Sequence, residues 1–74
     1  MYGVHRMDDE LLNIQVRKFL KKVGIQSQRE IEQAVKDHIK KGSLSGTEKL
    51  DATMLLEVPK IDLKVSIDGK IEIE

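Results

Sequence analysis

Two histidines are the side chains best suited to acid–base chemistry in this chain of 74 residues, which contains no cysteine. His38 falls on the apolar side of a predicted helix, and no neighbouring side chain is placed to pair with it. A general acid or base needs such a partner within hydrogen-bond reach. His5 belongs to an irregular N-terminal stretch. We therefore predict a structural role for His38, no catalytic, metal-binding or cofactor-binding residue, and no enzymatic activity.

Basic side chains are the second group that could do chemistry, because lysine and arginine can bind phosphate. They lie on two predicted helices joined by a short turn, as in a helix–turn–helix protein. The candidate nucleic-acid surface consists of Arg17, Lys18, Lys21, Arg29, Gln33 and Lys36. Glu32 and Asp37 would repel phosphate there, and 13 basic residues cancel 13 acidic ones. A solvated charged face is therefore preferred, and weak nucleic-acid binding is the alternative function.

Apolar side chains outside the predicted core form a candidate partner surface. One face of the first predicted helix carries the expected core residues Leu12, Val16, Phe19, Leu20 and Val23. The candidate partner surface lies elsewhere and consists of Met7, Leu11, Ile14 and Leu55. The alternative for its helix residues, and the preferred one, is that they pack against the second predicted helix and the sheet. Small domains gain stability from association. The leading hypothesis is a small non-enzymatic protein-interaction module that binds a protein partner or a second copy through this surface or a sheet edge.

Local signals predict two helices in the first half of the chain. Asp8 is a good N-cap for a helix from about Asp9 to Lys22, and Gly24 can end it. The run Ser27-Gln28-Arg29-Glu30 has the form of a capping box, which begins a second helix. Gly42 can end that helix. Its predicted apolar face consists of Ile31, Ala34, Val35, His38 and Ile39.

After Gly46 the apolar residues alternate, which predicts strands. A first strand runs from Leu50 to Val58, and Pro59 interrupts the ladder. A second runs on from Ile61, and a three-residue turn at Ile67-Asp68-Gly69 leads to a third. The predicted fold is α+β: a two-helix hairpin packed on a small antiparallel three-stranded β-meander (ααβββ). Residues 1–6 are an irregular lead-in and residues 7–74 a single domain. We also expect no membrane span and a cytoplasmic location.

The chain resembles a family of short bacterial proteins of unknown function. The resemblance rests on the run from Ile14 to Ile25, on the Ser-Gln-Arg-Glu-Ile-Glu stretch that begins at Ser27, and on the alternating tail that ends in Ile71-Glu72-Ile73. It covers about Met7 to Glu74. The resemblance implies a small cytoplasmic bacterial protein, and it brings no activity, ligand or site residue to this chain.

Overall fold

A computed structural model describes residues 7–74 of the chain. The predicted lead-in, with His5, lies outside these residues. The described elements are a helix α1 (Asp9–Lys41), a strand β1 (Lys49–Val58), a 3₁₀ turn (Pro59–Ile61) and a strand β2 (Leu63–Glu72). The chain divides into two compact units, one ending at Lys36 and the other comprising Asp37–Glu74.

Both ends of α1 carry the caps that the sequence predicts. The Leu11 N–H donates to Asp8 Oδ1 at 3.0 Å, so Asp8 is the N-cap. At the other end Gly42 has φ +80°. The Ser43 N–H donates to the His38 carbonyl at 2.9 Å, and the Gly42 N–H donates to the Ile39 carbonyl at 3.1 Å. This pair of bonds is a Schellman motif, and it gives the last carbonyls of the helix their donors.

The predicted break between two helices is wrong, because α1 runs through it without interruption. Gly24 and Ser27 are both interior residues of the 33-residue helix. A glycine inside a helix costs only about 1 kcal/mol relative to alanine. Ending one helix and starting another would leave four N–H and four C=O groups to be satisfied outside the helical ladder. Ser27 therefore begins no helix, and the capping box is not used.

The second half folds as one hairpin, not as a three-stranded meander. β1 pairs antiparallel with β2, from Lys49 opposite Glu72 to Val58 opposite Leu63. The predicted interruption at Pro59 is confirmed, since the 3₁₀ turn begins there and Asp62 (φ +53°) completes the connection. The predicted turn at Asp68 and Gly69 is wrong. Both residues lie inside β2, opposite Thr53 and Ala52. The fold is α+β with one long helix and a two-stranded antiparallel sheet.

The predicted core is also wrong, because none of the residues described, 7–74, is buried. Phe19 is 54% exposed and Leu12 is 47% exposed, although both were expected in the core. The apolar periodicity therefore defines faces of the elements, and those faces are open to solvent.

Candidate interaction surfaces

An apolar surface runs along one side of α1. Successive residues of an α-helix are rotated by about 100°, so residues three or four apart share a side. Fourteen residues of α1 fall within an arc of about 120° by this count. Five of them are Asp9, Asn13, Glu30, Asp37 and Lys41, and we call the other nine the helix stripe. They are Leu12, Val16, Phe19, Leu20, Val23, Ser27, Ile31, Ala34 and His38. The stripe joins the apolar face predicted for the first helix to three of the five residues predicted for the second, Ile31, Ala34 and His38. Val35 and Ile39 fall outside the arc.

The predicted partner residues of the helical half lie on the other side of α1. Leu11 and Ile14 share that side with Ile25, and all three are at least half exposed. Met7 precedes the first turn and is exposed too. We call these four residues the back face. The fourth predicted partner residue, Leu55, belongs to the other unit, where it lies opposite Ser66.

The basic residues gather on the same side as the back face. Four of the six predicted nucleic-acid residues, namely Lys18, Lys21, Arg29 and Lys36, fall within an arc of about 80° on α1. Arg17 and Gln33 lie on either side of that arc. Lys18, Lys21, Lys22 and Arg29 line a shallow surface around Ile25, together with Gln26 and Glu30. The predicted helix–turn–helix geometry is absent from Asp9–Lys41, because this segment contains no turn.

The hairpin has one apolar and one polar face. Residues directly opposite each other in an antiparallel pair point to the same side of the sheet. Five opposed pairs make the apolar sheet face: Leu50 with Ile71, Ala52 with Gly69, Met54 with Ile67, Leu56 with Val65, and Val58 with Leu63. Sequence reasoning found only its β1 half in full, because it placed a turn inside β2.

Charged and hydroxyl side chains pair across the polar face of the hairpin. Lys49 Nζ lies 3.6 Å from Glu72 Oε1, and Lys70 Nζ lies 3.5 Å from Asp51 Oδ1. Beyond the second pair along the hairpin, the Thr53 hydroxyl donates to Asp68 Oδ1 at 3.0 Å. Exposed ion pairs contribute at most about 1 kcal/mol each. They hold the strand register more than they stabilise the hairpin, because a one-residue slip would separate every pair.

A carboxylate organises the loop before β1. Glu48 accepts hydrogen bonds from the N–H groups of Ser45 at 2.8 Å, Gly46 at 2.9 Å and Thr47 at 3.2 Å. The Ser45 N–H first, and then the N–H groups of Glu48 itself and Gly46, lower the pKa of Glu48 to about 2. The carboxylate is therefore ionised and fully engaged at neutral pH, where its role is to hold the loop.

His38 contributes its backbone, not its ring, to the contacts that are described. Its carbonyl accepts from Ser43 and Leu44, and the residue is exposed near the end of α1. Within residues 7–74 no three histidine, aspartate or glutamate side chains are grouped as a metal site would require. Across the same residues, no helix has the length and apolar character needed to cross a membrane.

A sequence profile of a family of unknown function, DUF6494, matches residues 7–74. The chain belongs to the DUF6494 family. The match covers α1 and the whole hairpin, so both units belong to the region that defines DUF6494. Comparison with curated proteins found no match, and comparison with solved structures found none either.

Proposed function

We propose that this DUF6494 chain is a small non-enzymatic protein-interaction module that associates with a second copy of itself through the helix stripe. The observation that carries the proposal is that no residue of the stripe is buried: Leu12, Val16, Phe19 and Leu20 are exposed, and the central residues Val23, Ser27 and Ile31 are only partly covered. Monomeric proteins rarely leave long contiguous apolar surfaces in water, and such surfaces mark interaction sites.

The energetics favour covering the stripe. Complete burial of a Leu, Val, Ile or Phe side chain stabilises a protein by roughly 1.5–3 kcal/mol. A helix of 33 residues is about 50 Å long, so two copies could contact over several apolar layers. A second copy carries the same stripe, which makes it a partner of matching length and chemistry. The stripe thus replaces the back face as the surface that we propose for association.

Two leucines of α1 provide a matched test of this surface. Leu20 lies in the stripe and Leu11 in the back face, and each is 52% exposed. Leu20→Gln and Leu11→Gln are the same chemical change, and glutamine is nearly as good a helix former as leucine. We expect sedimentation equilibrium to show a dimer for the wild type and Leu11→Gln, and at least tenfold weaker association for Leu20→Gln.

The result also decides between the two faces of α1. A wild-type chain that sediments as a monomer up to high micromolar concentration would overturn self-association. If Leu11→Gln dissociates the dimer and Leu20→Gln does not, the back face is the contact and the stripe proposal is wrong. Far-ultraviolet circular dichroism of each variant checks that α1 is intact.

Nucleic-acid binding is the second candidate function, and it is supported by the arc of Lys18, Lys21, Arg29 and Lys36 on one side of α1. Binding through this side would leave the stripe free for a second copy. It would depend on phosphate contacts, so affinity should fall steeply with added salt.

Two lysines test this candidate. Lys36→Gln removes a charge from the basic arc, and Lys64→Gln removes one from β2. With mixed-sequence duplex DNA at low salt, a several-fold loss for Lys36→Gln alone would support the nucleic-acid function. Equal weakening by both variants, or no binding at all, would contradict it.

A bacterial, cytoplasmic setting is part of the same proposal. It is supported by the resemblance to short bacterial proteins, which rests on the sequence runs that begin at Ile14 and Ser27. Fractionation of a bacterium that expresses the chain from its own gene tests the setting, and recovery with the cell envelope would contradict it.

A further inference from the structure

We infer that the two copies pair their α1 helices in antiparallel orientation, with a two-fold axis at the level of residue 25. This inference rests on the proposed function, since it names the geometry of that same contact. The occupant of the helix stripe is then the stripe of a second copy running in the opposite direction.

The spacing of the stripe carries the inference. Eight of its residues form a regular series, in which Phe19 is counted and its neighbour Leu20 is left out. From Leu12 to His38 the steps between these residues are four, three, four, four, four, three and four. This series reads the same in both directions. In an antiparallel pair, each residue of this series in one copy therefore lies at the same height as a residue of the series in the other. We call such a pair of residues a layer, and this matching is what an isologous contact requires. The layers are Leu12 with His38, Val16 with Ala34, Phe19 with Ile31, and Val23 with Ser27.

The two ends of the stripe carry complementary charges. Asp9 and Lys41 extend the series by one further step of three at each end, on the same side of α1. In the antiparallel pair Asp9 of one copy faces Lys41 of the other, twice. A parallel pair in register would place Asp9 beside Asp9 and Lys41 beside Lys41. Antiparallel helices also bring the positive end of each dipole beside the negative end of its neighbour.

Small side chains lie close to the proposed axis, and one pair departs from the symmetry. Ser27 is on the stripe, and Gly24 lies at its margin. Both allow the helices to approach each other at the centre. The departure is at Leu20, whose counterpart at position 30 is a glutamate. Glu30 has the same rotation about α1 as Leu12, and Leu20 has the same rotation as His38, so this pair also lies in the contact and places a carboxylate beside a leucine.

Cysteine cross-linking tests the orientation directly, because the chain contains no cysteine of its own. The variants are Val16→Cys and Ala34→Cys, oxidised separately and as an equimolar mixture. A disulfide needs Cα atoms within about 7 Å. In the antiparallel pair position 16 of one copy lies beside position 34 of the other. Two copies of residue 16 would lie about 27 Å apart, from a rise of 1.5 Å per residue.

We expect a covalent dimer from the mixture, at least tenfold more than from either variant alone. Phe19→Cys with Ile31→Cys is a second pair for the same geometry, in case one variant of the first fails to fold. Ile14→Cys, on the back face, is the control and should give no covalent dimer.

The outcomes separate the orientation from the self-association. A wild-type chain that sediments as a monomer overturns the proposed function and the inference together. A wild-type dimer in which Val16→Cys and Ala34→Cys each cross-link alone is parallel, and it overturns the orientation only. A wild-type dimer from which neither mixture yields a covalent product overturns the register about residue 25 and leaves self-association standing.

Discussion

At the scale of single residues, two glycines show how the effect of a side chain on stability depends on position. One lies inside α1, and the other follows its C-terminus. Gly24 lies inside the helix, whereas Gly42 follows the helix with φ +80°. A Cβ built at either residue meets no heavy atom within 4 Å. The two sites therefore do not differ in the space available for a side chain. They differ in backbone conformation.

Alanine substitution of these glycines should have opposite effects. Gly24→Ala should raise the free energy of unfolding by about 1 kcal/mol, because glycine is a poor interior helix residue. Gly42→Ala should lower it by roughly 1–2 kcal/mol, because alanine is strained in the left-handed region. Thermal unfolding followed by circular dichroism measures both. Destabilisation by Gly24→Ala would mean that the helix breaks there after all.

Glu48 gives the loop before β1 a predictable dependence on pH. Its pKa is lowered from 4.5 to about 2 by the N–H groups of Ser45 and Gly46. A lowered pKa means that the ionised carboxylate favours the folded loop. Its contribution to stability is complete above pH 4.5 and is lost as the pH falls through about 2.

A nuclear magnetic resonance titration checks this prediction. The Glu48 carboxyl carbon and the Ser45 amide should titrate together with a midpoint near pH 2. In Glu48→Gln the Ser45 amide should lose this transition, because the side chain no longer ionises. A Glu48 midpoint near its ordinary value of 4.5 would show that the loop hydrogen bonds do not form in solution.

At the scale of elements, an element continues for as long as its apolar residues keep the same spacing and stay on the same face. In β2 the odd-numbered positions from Leu63 to Ile71 carry apolar residues or Gly69 without a change of parity, and Ile73, the next residue after the strand, continues the pattern. A two-residue turn at Asp68-Gly69 would move the apolar residues after it to the other face of the sheet. The predicted three-residue loop keeps them on the same face, but it divides β2 into two strands. A continuous strand keeps the parity with no turn, so the unbroken phase was a signal available in the sequence.

Gly69→Val distinguishes the strand from the turn. In β2 the new side chain would lie on the apolar sheet face opposite Ala52, where a Cβ meets nothing within 4 Å. Valine is a better strand residue than glycine, so hairpin stability should rise by up to about 1 kcal/mol. If Gly69 were the left-handed residue of a turn, the same change would destabilise the chain. Urea unfolding gives the sign.

The helix follows the same rule of phase. The two predicted helices place Leu12 and Ile31 on one side when α1 is drawn as a single helix, so the pattern does not restart after Gly24. Local signals such as Gly24 and the capping-box residues at Ser27 report the tendency of a few residues. The continuous hydrogen-bond ladder stabilises the chain more than these signals do, because an N–H that is bonded within the helix needs no cap.

At the scale of the whole molecule, exposure of the apolar faces makes stability depend on association. If two copies cover the helix stripe, unfolding is linked to dissociation by mass action. The midpoint of thermal unfolding should therefore rise by several degrees when the protein concentration is raised a hundredfold. The Leu20→Gln variant should show a much smaller rise. A midpoint that does not move with concentration in the wild type would contradict self-association.

The sequence by itself determined the caps at Asp8 and Gly42, the strand from Leu50 to Val58, the interruption at Pro59 and the membership of a family of unknown function. These features depend on residues close together in the chain. Only the three-dimensional structure decided that Gly24 and Ser27 lie inside one helix and that Asp68 and Gly69 lie opposite Thr53 and Ala52. Those choices depend on ladders of hydrogen bonds and on strand pairing between distant residues. Such cooperative gains outweigh what any local turn or cap contributes.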